Sequence, residues 1–220
     1  MATAPLLAEL ARAYVARAGT AVAFESVGGV DAVRRVQGGE SFDVVVLARD
    51  AIDALAAGGH LVDGTGTDLA RSGVAVAVRT GAPRPDIGSE EALRRAVREA
   101  RSVGYSTGPS GVQLAKLFAG WGIAGELSER VVVAPPGVPV GALVARGDVE
   151  LGFQQLSELL HVDGVDVLGP LPPAVQIVTT FAGAVSVRAR RPEAARALLA
   201  FLASASPEVV AAKRRQGMVP

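Results

Sequence analysis

The sequence has no cysteine and few of the side chains on which metal and cofactor chemistry usually depends. None of its 220 residues is cysteine, which excludes disulfide bonds and thiolate metal sites. Histidine occurs only at His60 and His161, and each is isolated. The sequence contains no phosphate-binding P-loop, no H-E-x-x-H metal motif and no G-x-S-x-G nucleophile turn. We therefore expect no metal site, no cofactor and no catalytic residue of these types.

The sequence also has no excess of positive or negative charge. Lys and Arg together number 22, as do Asp and Glu, so the formal net charge is zero. A nucleic-acid-binding protein would normally be basic, so we expect no nucleic-acid partner. No run approaches the roughly 18 apolar residues that a membrane helix needs, so we expect a protein that is not membrane-embedded.

The first twenty residues, "MATAPLLAELARAYVARAGT", have apolar side chains at helical spacing and no basic start. This pattern predicts an amphipathic helix that ends at Gly19, and not a signal peptide. With a hydrophobic fraction of 50%, the 220 residues suffice for one large domain or two lobes of about a hundred residues each.

Segments typical of strands alternate with segments typical of helices. The predicted strands are 20–26, 42–48, 72–81, 102–106, 130–135, 149–155, 165–169 and 176–188. The predicted helices after the first are 29–37, 50–59, 89–100, the stretch after 106, 138–147, 192–204 and 207–217. The apolar run "FDVVVLA" is typical of a strand buried on both faces of a parallel sheet. The alternation predicts an α/β fold with doubly wound sheets.

Several helix ends are predicted from local chemistry. Asp50 and Ser89 are expected N-caps, and Gly58 is an expected stop. Pro192 and Pro207 are expected at first helical positions, where the missing N–H costs nothing. Proline-containing stretches at 82–88 and 169–173 flank the middle third of the chain. We expect a discontinuous first lobe of 1–79 plus 177–220, and a second lobe of 80–176.

Three junctions between a predicted strand and a predicted helix are rich in small residues. They are "ESVGGV" at 25–30, "YSTGPSG" at 105–111 and "APPGVPVG" at 134–141. The carboxyl ends of strands line the ligand crevice in open α/β sheets, and helix N-termini offer unpaired N–H groups there. These junctions predict binding of a small anion by backbone groups, although each taken alone also fits an ordinary tight turn.

The chain resembles periplasmic-type (type II) solute-binding proteins of the molybdate-binding family, the receptors of ABC importers. The resemblance rests on an ordered set of segments: 6–48, "DALAAGGHLV", "GPSGVQLAKLFAGWGI", "GALVARGDVELGF" and 190–218. It implies two α/β lobes joined by two crossing strands, with an oxyanion bound between them. The family's first strand is missing here, and we expect that the true start lies upstream or that the chain is truncated.

The resemblance also assigns candidate ligand contacts. The family's first binding serine falls at Ala2-Thr3 and its second at Val27, beside Ser26. Two backbone contacts fall at Ser110 and about Gly137, and the family tyrosine falls at Gln155. The small-residue junctions add Gly28, Ser106 and Gly111 to the candidates.

Because the hydroxyls that suit molybdate are largely replaced, Arg49 and the pair Gln154-Gln155 suggest a different ligand; Arg49 stands where the family usually has a small or acidic residue. Arg49 follows a buried strand and could pair with a carboxylate, or could be a surface arginine outside the crevice. Gln154 and Gln155 follow another buried strand, and one of them should point into the crevice, unless they cap the next helix.

Three functions remain open at this point. The first is a solute-binding protein, monomeric and periplasmic or secreted, that closes over a small oxyanion or carboxylate for an ABC permease. The second is a cofactor-free isomerase of a di- or tricarboxylate such as aconitate, since some proteins resembling this family have that activity. The third is a cytoplasmic sensor domain for a small anion.

Overall fold

The structure is a computed structural model that describes residues 2–135 and 137–220. Its residues group into two compact units. Unit 1 contains the chain up to Ser72 and the segment Thr179–Pro220, and unit 2 is the continuous segment Gly73–Val178.

Unit 1 consists mainly of helices around a short strand pair. Its elements are α1 (Ala4–Ala18), α2 (Gly29–Gln37), β1 (Val44–Ala48), α3 (Arg49–Ala57), β7 (Val178–Val185, which starts at the last residue of unit 2), α9 (Pro192–Ala203) and α10 (Pro207–Arg215). Strand β2 (Thr67–Arg79) begins in unit 1 and continues into unit 2.

Unit 2 contains the remaining elements. They are α4 (Glu90–Glu99), β3 (Val103–Ser106), α5 (Pro109–Gly120), α6 (Ala124–Leu127), β4 (Val131–Ala134), α7 (Val140–Arg146), β5 (Leu151–Gln155), α8 (Leu156–Leu159), β6 (Val165–Pro170) and a 3-10 turn (Pro173–Val175). The short helix α6 and the 3-10 turn were not predicted from the sequence, whereas α8 is the helix expected directly after Gln155.

The strand pair of unit 1 corrects one prediction. β1 runs antiparallel to β7, with Val46 opposite Gly183, and not in a parallel pair. The apolar run is nevertheless explained, because both faces of β1 are covered. Val44 and Val46 pack on the cluster formed by α1, α9 and α10, while Val45 and Leu47 belong to a second cluster with residues of α3.

The predicted strand at 20–26 is wrong. Val22 and Phe24 are half-buried against the α1–α9–α10 cluster, while Ala21 and Ala23 are exposed, so the alternation is real. However, no backbone hydrogen bond is found for residues 20–27 within the described parts of the chain. A strand requires a ladder partner, and burial of alternate side chains cannot substitute for one.

Unit 2 is built on a mixed sheet in the order β6-β2-β5-β3-β4. β2 is antiparallel to both β5 and β6, whereas β3 is parallel to β4 and β5. The core includes Phe118 and Phe153, whose ring centroids are 5.8 Å apart. At Gly152, a Cβ would come within 2.4 Å of Val144, so glycine is needed for α7 to pack on the sheet.

Most predicted helix ends are confirmed, with one exception. The Ser89 hydroxyl accepts the Ala92 N–H at 3.1 Å, and Pro192 and Pro207 open α9 and α10. Asp50 is not the N-cap of α3, because that helix begins at Arg49. Among the described residues, no single helix is long and apolar enough to cross a membrane, although α9 and α10 taken together, with a bend of 71°, pass that test by length and composition.

Candidate functional site

The N-terminus of α5 in unit 2 presents unpaired backbone donors. Pro109 occupies the first turn, and Val112 is the first residue whose N–H bonds back, to the Gly108 carbonyl at 3.1 Å. The N–H groups of Ser110 and Gly111 meet no hydrogen-bond acceptor within 2–135 and 137–220. A 12-residue helix adds partial positive charge at this end, so the arrangement suits an anion.

Gly111 brings this helix end against the end of β3. A Cβ at Gly111 would lie 1.7 Å from the Ser106 carbonyl oxygen and 2.8 Å from its carbon. The Ser106 hydroxyl accepts the Gly108 N–H at 3.4 Å, and Ser110 is buried beside it. The structure thus brings Ser106, Ser110 and Gly111 together in one turn, as the sequence predicts.

The two glutamines at the end of β5 differ in their surroundings. The Gln154 Oε1 atom accepts the Gly141 N–H at 3.1 Å, and its side chain also hydrogen-bonds to Glu158. Burial raises the pKa of Glu158, and the bond from Gln154 opposes that rise. Gln154 therefore connects β5 to α7 and α8 within unit 2. Gln155, equally buried and directed to the other face, remains the candidate of the pair for ligand contact.

Two observations near β5 were not predicted. The Gly141 N–H at the start of α7 is already bonded to Gln154, so α7 offers less to an anion than its small-residue junction suggested. Ser157 is 3% exposed, and its hydroxyl has no hydrogen-bond partner among the described residues. Nothing in the spacing of "QQLSE" distinguishes this serine. Gly137, between β4 and α7, is exposed and has a φ of +80°, which favours glycine.

In unit 1, Ser26, Val27 and Gly28 lead into α2, and Gly28 is its N-cap. Asp31 already places a carboxylate in the first turn of this helix, 3.0 Å from Arg34. That negative charge makes the α2 end less favourable for an anion than the α5 end. Thr3 is the half-buried N-cap of α1, and its side chain makes no capping bond.

Arg49 is occupied by two carboxylates of unit 1. Its Nε atom lies 3.0 Å from Asp53 and its Nη1 atom 2.8 Å from Asp68. These partners raise the pKa of the guanidinium. A carboxylate ligand that pairs with two guanidinium nitrogens would compete with one of these partners, so the geometry favours the surface role over the clamp.

A cavity of about 390 Å³ in unit 2 lies elsewhere. Arg79, Arg101 and Glu150 are among its lining residues, and none of the predicted ligand contacts is. Arg101 and Glu150 precede β3 and β5, so this cavity is at the strand ends opposite to Ser106 and Gln155. No group of three or more metal-ligating side chains occurs in the described parts of the chain.

Comparison with known proteins decides the family. A family model described as bacterial extracellular solute-binding protein matches residues 1–219. The chain belongs to this family. This solute-binding protein is also 43% identical, over 171 residues, to an aconitate isomerase from Pseudomonas sp. That alignment covers 77% of the chain and 65% of the isomerase, so the match spans about two thirds of the length of that relative.

Solved structures place the fold of this solute-binding protein among periplasmic binding proteins. The periplasmic molybdate-binding protein of Azotobacter vinelandii superposes with a TM-score of 0.80 at 20% identity, covering 99% of this chain and 95% of that one. The substrate-binding domain of a putative molybdenum ABC transporter from Clostridium difficile gives 0.75 at 15% identity, covering 99% and 94%. At these identities the likeness establishes the α/β fold of a type II solute-binding protein and not the ligand.

Proposed function

We propose that this solute-binding protein binds a small anion, with the N-terminus of α5 as the principal contact in unit 2. The observation that carries the proposal is the pair of unpaired N–H groups of Ser110 and Gly111, held against Ser106 at a helix end. Such groups bind oxyanions and carboxylates without a cationic side chain, which agrees with the zero net charge of the chain.

The ligand class we favour is a small carboxylate, with aconitate as the first compound to test. The support is the 43% identity to an aconitate isomerase, compared with 20% or less to the two molybdenum-related structures. Gln155 and the hydroxyls of Ser106 and Ser110 can donate to carboxylate oxygens. Molybdate remains the competing ligand, since backbone N–H groups also suit a tetrahedral oxyanion.

A thermal-shift series tests the proposal. The series uses cis- and trans-aconitate, citrate, molybdate, tungstate, sulfate and phosphate. An anion at a hundred times its Kd adds about 2.7 kcal/mol to the free energy of unfolding, or about 5–11 °C in Tm for a chain of this size. Ser110→Ala separates the two contacts of this residue, because it removes the hydroxyl and keeps the N–H; we expect it to retain most of the shift, and Gly120→Ala, at an exposed position of the same helix, to retain all of it. If none of the seven anions raises Tm, the proposal is wrong.

Within this proposal, the protein delivers its ligand to an ABC permease outside the cytoplasm, closing its two lobes over the anion as a monomer. Membership of the extracellular solute-binding family supports the extracytoplasmic location and the transport role. A cytoplasmic sensor role has no comparable support.

A second candidate is a cofactor-free isomerase of a tricarboxylate, favoured by the same 43% identity. Isomerisation of aconitate moves a proton between carbon atoms and requires one positioned base together with contacts that hold the anion. The test is 1H NMR of aconitate in heavy water with the protein present. Growth of the second isomer with deuterium incorporation would support the isomerase function. Saturable binding without exchange would contradict it and support the receptor function alone.

A further inference from the structure

The chain passes between the two units twice, and both passages lie in strands. The first falls between Ser72 and Gly73, inside β2, and the second between Val178 and Thr179, at the start of β7. Just inside unit 2, the two passing segments are hydrogen-bonded to each other. The Val74 N–H donates to the Ile177 carbonyl at 2.9 Å, and the Val74 carbonyl also accepts the N–H of Leu171, the residue after β6, at 3.1 Å.

The carboxamide of Gln176 adds three bonds at the same place. Its Oε1 atom accepts the Val74 N–H at 3.1 Å and the Ile177 N–H at 2.8 Å. Its Nε2 atom donates to the Leu171 carbonyl at 3.4 Å. One side chain thus contacts the incoming segment, the outgoing segment and the end of β6 through their backbones.

Gly73, the first residue of unit 2, makes room for this amide. A Cβ at Gly73 would lie 3.1 Å from the Gln176 Nε2 atom and 3.2 Å from its Cδ atom. Those distances are shorter than ordinary van der Waals contacts, so a larger residue at 73 would press on the carboxamide. The glycine and the glutamine therefore act as a pair at the boundary.

We propose that Gln176 sets the pivot about which the two units move. Because the carboxamide reinforces the direct backbone bond between Val74 and Ile177, we expect the backbone rotations of a movement to be confined to the few residues between these positions and unit 1. Gln176 is a positioning residue: it acts on the ligand through the placement of the units. This inference rests on the proposed function, in which lobe closure accompanies ligand binding.

The test measures the distance between the units without any ligand. The cysteine-free sequence allows two introduced cysteines, at the exposed positions Arg17 in unit 1 and Lys116 in unit 2, to be spin-labelled selectively. Pulsed electron paramagnetic resonance then gives the distance distribution. We expect Gln176→Met, which keeps the length but not the hydrogen bonds, to broaden the distribution at least twofold. We also expect amide exchange at Val74 and Ile177 to rise at least tenfold.

Ser89→Ala is the matched control, because it removes one capping hydrogen bond of unit 2 that involves neither passing segment. It should leave the width unchanged. An unchanged width in Gln176→Met, or equal broadening in the control, would overturn the inference. If Gln176→Met does not fold, Gly73→Ala replaces it, since the added Cβ displaces the same carboxamide and should broaden the distribution. If the protein binds no anion, the proposed function is wrong, but the widths of the distance distributions in Gln176→Met and Ser89→Ala still test the role of Gln176, because they are measured without ligand.

Discussion

Replacing Gly111 by alanine should move the start of α5 and weaken anion binding. The new Cβ would stand 1.7 Å from the Ser106 carbonyl oxygen, and the opposing atoms are backbone that cannot rotate away. To reach a normal contact, the helix end and the end of β3 must separate by more than about 1 Å. Overpacking of this kind costs about 1–3 kcal/mol, well above the few tenths gained from helix propensity in a first turn.

The effect on binding follows from the same displacement. Hydrogen bonds to a charged group contribute about 1.5–3 kcal/mol, and a shift of more than 1 Å takes a donor out of bonding range. We therefore expect the affinity for the anion to fall by about tenfold or more. Urea denaturation measures the stability, and calorimetric titration with the anion that gives the largest thermal shift measures the affinity.

Gly120→Ala provides the control in the same helix. Gly120 is exposed, its φ is not positive, and a Cβ there would meet nothing within 4 Å. This change should stabilise the protein by about 0.4–1 kcal/mol and leave binding unaltered. If Gly111→Ala were as stable as the parent and bound the anion equally well, the close approach of α5 to β3 would not be what places the Ser110 and Gly111 donors.

Three further substitutions test the assignments made above. Arg49→Gln should change anion affinity by less than about twofold and stability by less than about 1 kcal/mol, because the guanidinium serves surface ion pairs; a tenfold loss in titration would restore the clamp role. Gln154→Leu should lower the free energy of unfolding by about 1–3 kcal/mol, since it leaves the buried Gly141 N–H without its acceptor; unchanged urea stability would contradict this. Lys213→Met should raise the free energy of unfolding at pH 7, because burial lowers the pKa of Lys213 and the charged form is disfavoured in the fold. The cost of Lys213 is full below its folded pKa and disappears as the pH rises towards its unfolded value near 10.5, so the gain should shrink in that window; a gain that is constant with pH would refute the cause.

The features that could be predicted from the sequence depend on neighbouring residues. Ser89 caps α4 through a bond three residues away, and Pro192 and Pro207 open helices because of their own ring. The turn at Ser106–Gly111 belongs to the same class. These interactions are local, and a short stretch of chain specifies them.

The features that could not be predicted depend on partners distant in the chain. The segment 20–26 has the alternating pattern of a strand but pairs with no other strand among the described residues. Alternation indicates which side chains are buried, and does not show whether a neighbouring strand is available for hydrogen bonding. The apolar run of β1 indicates that both faces of the strand are buried, but it does not indicate that β7 pairs with it in the antiparallel direction. Arg49 follows its strand as expected, yet Asp68, 19 residues away, occupies its guanidinium. Gln154 bonds to Gly141 across a turn, which spacing alone does not indicate.

The split composition of unit 1 has a consequence during synthesis. The helix α1 packs on α9 and α10, so the cluster that buries Leu6 and Leu10 is incomplete until these two helices have been made. Unit 2 is continuous and can fold as soon as Val178 emerges. At 5–20 residues per second, the first 72 residues wait roughly 7–30 s for their partners. For that time the apolar side chains of α1 lack the helices that cover them in the folded protein, and transiently exposed apolar surface of this kind is what makes nascent chains depend on chaperones.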